Sequence, residues 1–135
     1  MLLSVEELRV SYGNIKALHG LNFQIDEGEI VCIIGANGAG KSTTLKAISR
    51  LVPADEGSRM TFAGENLLDY AADKVVSRLG MSHVPEGRRL FDNLTVTDNL
   101  QLACFARKDK DQIKEDIKRV FSIFSRLVER QTQKA

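Results

Sequence analysis

Neither sign of charge is in excess in this chain. Nineteen Lys and Arg stand against eighteen Asp and Glu, a formal net charge of +1, so no global field argues for nucleic acid or an anionic membrane surface as a partner. Cysteine is scarce: Cys32 and Cys104 are far apart and lack CxxC spacing. That argues against a metal or redox role and leaves buried, reduced thiols in a cytosolic protein as the expectation. Two histidines, His19 and His83, are too few and too isolated for a metal site and are expected to be structural. No apolar run approaches the eighteen or so residues of a membrane helix. The opening "MLLSVEELRV" reaches two glutamates by position 7 and has no basic leader, so a signal peptide is not expected.

What is present is globular: 135 residues, 43% hydrophobic and 27% charged, the size of one soluble domain. "LNFQIDEGE" alternates Leu21, Phe23 and Ile25 with Asn22, Gln24 and Asp26, and "LRVSY" has the same rhythm at Leu8, Val10 and Tyr12. With Gly13-Asn14 as a turn between them, this period predicts antiparallel strands in the first thirty residues. "IVCII", Ile30 to Ile34, breaks the alternation with five consecutive apolar residues. Such a run predicts a central parallel strand covered on both faces. After Lys41 the residues Leu45, Ile48, Leu51 and Val52 recur at helical spacing until Pro53.

A short strand is expected at Met60 to Phe62 and a weaker one at Leu79 to Val84. Thr95 and Asp98 have capping-box spacing and open a helix carrying Val96, Leu100 and Ala103 on one face. A second helix follows, with Ile113, Ile117, Val120, Phe121, Phe124, Leu127 and Val128 in an apolar stripe. The stripe reads as core packing, with a partner-binding face as the alternative. The β-rich first part gives way to the helical part near Glu86 to Leu90, dividing the chain into 1–87 and 88–135.

Between the apolar run and the first helix stands "GANGAGKST", Gly35-Ala36-Asn37-Gly38-Ala39-Gly40-Lys41-Ser42-Thr43, which satisfies G-x-x-x-x-G-K-[ST]. Glycines permit backbone conformations in which N–H groups from about Gly38 to Thr43 turn inward onto phosphate oxygens. The helix that follows presents its free N–H groups and positive dipole end to the same anion. In this motif Lys41 reaches the terminal phosphates and the Ser42 hydroxyl takes a Mg²⁺ position. The order strand, glycine loop, helix is the context that the motif requires.

Tyr12 in "VSYG", the stretch "ALHGLNFQIDEGEIVCIIGANGAGKSTTLKAI" and "VPEGRRLFDNLTVTDNL" together resemble the nucleotide-binding subunits of ATP-binding-cassette transporters. Within that family "VPEGR" followed by "LTVTDNL" is similar to the importer class for branched-chain amino acids and its urea-type relatives. The resemblance runs from the first strand to the last helix and implies a P-loop NTPase α/β cassette fold, here incomplete. Its parts would be an antiparallel β prelude, the phosphate-loop strand and helix, and the start of the helical subdomain.

It implies ATP with Mg²⁺ as ligands, and Tyr12 stacked on the adenine, the alternative being an ordinary edge-strand tyrosine. Glu86 stands where most cassettes carry a glutamine that approaches Mg²⁺, a role that a carboxylate without an amide donor does not carry over intact. Arg88 and Arg89 would lie near the surface that receives the permease, or form a solvated basic pair. The implied partners are membrane-spanning permease subunits and a second cassette subunit, at the cytoplasmic face of the cell membrane, with no membrane insertion of this chain.

The family's "LSGGQ" signature, acidic strand, catalytic glutamate and histidine switch would come after the helix at Ile113 to Val128, and "RQTQKA" follows it here. Asp55, Asp69 and Asp73 sit in turn or polar contexts, so none is expected to replace those acids. Two readings stand: the N-terminal portion of a transport ATPase, or a non-hydrolysing nucleotide-binding module that pairs with a complete cassette. A different P-loop enzyme such as a kinase is disfavoured by Tyr12, the antiparallel prelude and "VPEGR".

Overall fold

Buried positions along the first strand, β1 (Leu3–Tyr12), keep the alternation read from the sequence but change phase once. Leu3 and Val5 point into the core, and so do Leu8 and Val10. The break lies at Glu6-Glu7, where two residues oppose the single Asn22 of β2 (Ile15–Ile25). This bulge puts Glu7 at φ 51°. Asn22 straps it down, accepting from Glu7 N–H at 2.8 Å and donating back to Glu7 Oε1 at 3.2 Å. A bulge of this kind twists the strand and resets which residues face inward. The hairpin closes at Tyr12↔Ile15 over Gly13-Asn14, with Gly13 at φ +58°.

The computed structural model describes residues 1–87 and 89–135; Arg88, one of the two expected permease-facing arginines, lies outside them. After β2 come α1 (Lys41–Ile48), β3 (Arg59–Phe62), β4 (Glu65–Asn66), a 3₁₀ turn at Leu67–Asp69 and α2 (Ala72–Leu79). All strand pairs are antiparallel, in the order β2-β1-β3-β4. The core gathers Leu3, Val5, Leu8 and Val10 of β1 with Leu18, Met60, Ala47, Ile48, Leu67 and Val75. Contacts divide the chain into Met1–Val84, which holds this core, and Pro85–Ala135.

Two expected strands are absent among the described residues. Ile30 to Ile34 pairs with nothing, and Ile30 and Ile34 are 96% and 94% exposed. An apolar run becomes a strand only when neighbours take up its N–H and C=O groups, and none of the four strands adjoins it. Cys32 is consequently exposed rather than buried, while Cys104 is half-buried. The second strand, expected from Leu79, is instead the end of α2, closed by Gly80 in the left-handed conformation, and Met81 to Val84 follow without pairing. The signal for α2 was Val75, Val76 and Leu79 at helical spacing before that glycine. It places Asp73 in the first turn of a helix.

In the second unit, α3 (Val96–Ala103) begins at the expected capping box, with the Asp98 N–H on Thr95 Oγ1 at 3.1 Å and the Thr95 N–H on Asp98 Oδ2 at 3.2 Å. The Thr95 hydroxyl, then its amide, hold the Asp98 carboxyl below its ordinary pKa. A lowered carboxyl pKa stabilises the fold at pH above the unfolded value, and the contribution fades as pH falls through the lowered one. The chain's last residues cover the same helix start: Val96 N–H donates to Gln133 C=O at 3.0 Å and Thr97 N–H to Gln131 C=O at 3.1 Å. α4 (Lys110–Ile123) stops short of the expected Val128, and Ser125–Leu127 forms a 3₁₀ turn. No residue of α4 is fully buried: Ile113, Ile117, Val120, Phe121 and Leu127 of the stripe are half-buried, while Phe124 and Val128 are exposed.

Candidate functional site

The glycine loop leads from the exposed apolar run into α1. Ala39 N–H donates to Ala36 C=O at 3.1 Å, and Gly38 and Gly40 take φ +85° and +86°. Gly40 is required twice over. Its conformation is one that L-residues rarely adopt, and a Cβ there would meet Leu18 Cδ2 at 2.6 Å and Ala17 O at 3.1 Å. That close approach presses the loop onto β2, because Leu18 is buried in the core. Thr44, also buried, fastens the helix start by donating its N–H and its hydroxyl to Gly40 C=O at 2.8 and 2.9 Å.

Three consequences follow for chemistry. α1 has no side-chain cap, and the N–H groups of Lys41, Ser42 and Thr43 find no acceptor among the described residues. Free N–H groups and a positive dipole end therefore face outward together. Lys41 folds back over the loop, donating from Nζ to Gly35 O at 2.7 Å and Ala36 O at 2.8 Å. Its ammonium thus lies against the N-terminal end of the loop. Ser42 is exposed, with its hydroxyl free for a ligand. This donor set fits a polyphosphate and offers one hydroxyl oxygen to a divalent cation.

Tyr12, at the tip of the β1-β2 hairpin, stands over the same place: its Oη lies 3.5 Å from Thr43 Oγ1. The ring is about half exposed. Tyr12 thus reaches the C-terminal end of the glycine loop at Thr43. Glu86 and Arg89 belong to the other unit, where Glu86 is exposed and its carbonyl accepts from Arg89 Nε at 3.3 Å.

His19 faces solvent opposite Arg9, His83 is half-buried, and no group of metal-ligating side chains forms among the described residues. Asp55 turns back onto Ser11, Asp69 accepts from Asn66, and Asp73 pairs with Lys74. A cleft of about 830 Å³ also opens in the first unit, walled mainly by apolar side chains such as Leu21, Phe23, Ile33 and Leu45. It takes in Lys41 and Ser42 but none of the loop glycines.

The family model described as "ABC transporter" matches residues 18–134. The high-affinity branched-chain amino acid transport ATP-binding protein BraG of Pseudomonas aeruginosa is 40% identical over 134 residues, covering 99% of this chain and 56% of that one. The choline transport ATP-binding protein OpuBA of Bacillus subtilis is 35% identical, over 75% of this chain and 26% of that one. A solved structure titled as the ATP binding subunit of an ABC transporter superposes with a TM-score of 0.83 at 30% identity. It covers 99% of this chain and 54% of that one. The chain thus spans about half the length of BraG and of that solved structure. The phosphate loop and its helix lie inside the family match, and the chain belongs to the ABC transporter family.

Proposed function

We propose that this chain is the ATP-binding, N-terminal portion of the nucleotide-binding subunit of an importer, with branched-chain amino acids as the cargo of the whole transporter. The observation that carries the first half is the loop: Gly40 pressed against β2, free amides at the start of α1, Lys41 folded onto the loop carbonyls, and Tyr12 reaching Thr43. Lys41 and the amides from Gly38 to Thr43 hold the phosphates, with Gly35, Ala36, Asn37 and Ala39 shaping the loop. Ser42 is the Mg²⁺ ligand, and Tyr12 lies against the adenine face. Glu86 is proposed as a weaker contributor to the cation's surroundings. Domain limits of 1–87 and 88–135 go with this assignment.

The cargo rests on the similarity to BraG; the shorter match to a choline transport protein means that likeness in this region is not confined to branched-chain amino acid transporters. Permease subunits and a second cassette subunit are the proposed partners, at the cytoplasmic face of the membrane. No described helix is long and apolar enough to cross a membrane itself.

MgATP at about a hundred times Kd stabilises a folded chain by about 2.7 kcal/mol, and a rise in Tm of roughly 5–15 °C is expected. Adenosine at the same concentration is expected to give little shift. The chain by itself is expected to show no magnesium-dependent ATP hydrolysis above background; turnover that vanishes in Lys41→Ala would instead identify a complete catalyst. For the cargo, replacing the matching portion of BraG with this chain should restore leucine uptake to cells lacking BraG. A stable, expressed chimera without uptake would count against the branched-chain assignment.

A further inference from the structure

β3 lies beside β1 only from Leu3↔Phe62 to Glu6↔Arg59, yet β1 runs on to Tyr12 and its outer edge groups still need partners. The turn from Asp55 to Ser58 supplies them. Arg9 N–H donates to Ser58 Oγ at 3.0 Å, and Arg9 C=O accepts from Asp55 N–H at 2.8 Å. Ser11 N–H donates to Asp55 Oδ1 at 3.2 Å, and the Ser11 hydroxyl to Asp55 Oδ2 at 2.7 Å. Arg9 and Ser11 are two apart, so these are the groups that a neighbouring strand would take. The carboxylate is the last of these contacts, one residue before Tyr12. On the other edge the hairpin tip is held by β2 through Ser11↔Lys16 and Tyr12↔Ile15.

We propose that Asp55 is a positioning residue for Tyr12: its carboxylate clamps the end of β1 so that the ring is presented beside Thr43 for contact with the nucleotide base. The proposal rests on the nucleotide-binding reading above. A carboxyl group suits the position because each of its oxygens accepts one bond, one from an amide and one from a hydroxyl. Removing it leaves Ser11 N–H without its acceptor and frees the tip on one side. The phosphate contacts are untouched, because the loop is fixed separately by Gly40 against Leu18 and by Thr44 on Gly40 C=O.

The test compares calorimetric affinities of the full chain and its D55A, D55N, Y12A and D55A/Y12A variants for MgATP and for magnesium tripolyphosphate, which has no base. The wild-type chain is expected to prefer ATP. D55A should weaken ATP roughly 3–10-fold, a fraction of a base-stacking contact, while tripolyphosphate stays within about 2-fold. D55N keeps an acceptor for Ser11 N–H and offers a donor to its hydroxyl, so it should stay near wild type. The double variant should bind ATP no more weakly than Y12A, because both act on one contact.

Equal losses for the two ligands, or additive effects of D55A and Y12A, would overturn the positioning role. So would a preference for ATP that survives D55A intact, which leaves the nucleotide reading standing. A wild-type chain with no preference for ATP would overturn the base contact and this inference with it.

Discussion

Gly40→Ala is expected to cost about 2–5 kcal/mol of stability and to abolish nucleotide binding. One part is the left-handed backbone at φ +86°, which costs an L-residue roughly 1–2 kcal/mol. The remainder, about 1–3 kcal/mol, is overpacking. The new methyl would sit 2.6 Å from Leu18 Cδ2 and 3.1 Å from the Ala17 carbonyl. Leu18 cannot swing away without disturbing the core, and the carbonyl belongs to β2. Gly38→Ala is the control, since Gly38 has nearly the same φ but nothing within 4 Å of an added Cβ. It should lose only the backbone part. Denaturant midpoints measure both; equal losses in the two variants would show that the loop does not press on β2 as described.

Lys41→Ala is expected to weaken MgATP and tripolyphosphate alike, by roughly 10–100-fold, the value of a charge-assisted hydrogen bond. Stability should change little, since Nζ bonds only two exposed loop carbonyls. Lys41 acts on phosphate and Asp55 on the base, so the ratio of the two affinities separates them: unchanged in Lys41→Ala, reduced in Asp55→Ala. Calorimetric affinities of Lys41→Ala within about 2-fold of wild type would remove the lysine from the site.

The phosphate loop was legible in the sequence because its chemistry is local: glycine conformations, one lysine and a helix start, all within nine residues. The β1-β2 hairpin and the Thr95-Asp98 cap were legible for the same reason. The Glu7 bulge was not, because the strap that holds it is Asn22, fifteen residues away. Asp55 looked like one more turn residue, since its partner Ser11 lies 44 positions earlier. "IVCII" reads as a buried strand from composition, but burial depends on neighbours that a run of five residues cannot specify. α2 was missed because its helical period, carried by Val75, Val76 and Leu79, spans only two turns.

The exposed run at Ile30 to Ile34 feeds directly into Gly35, so the phosphate loop is moored firmly downstream, through Gly40 and Thr44, and weakly upstream. Any polypeptide that pairs along that run would fix the upstream end of the loop and lower the entropy lost when phosphate is gripped. Linkage makes the effect mutual: a nucleotide that orders the loop would tighten the pairing by the same factor. Assembly along one seam and occupancy of the site would then be two readings of a single equilibrium.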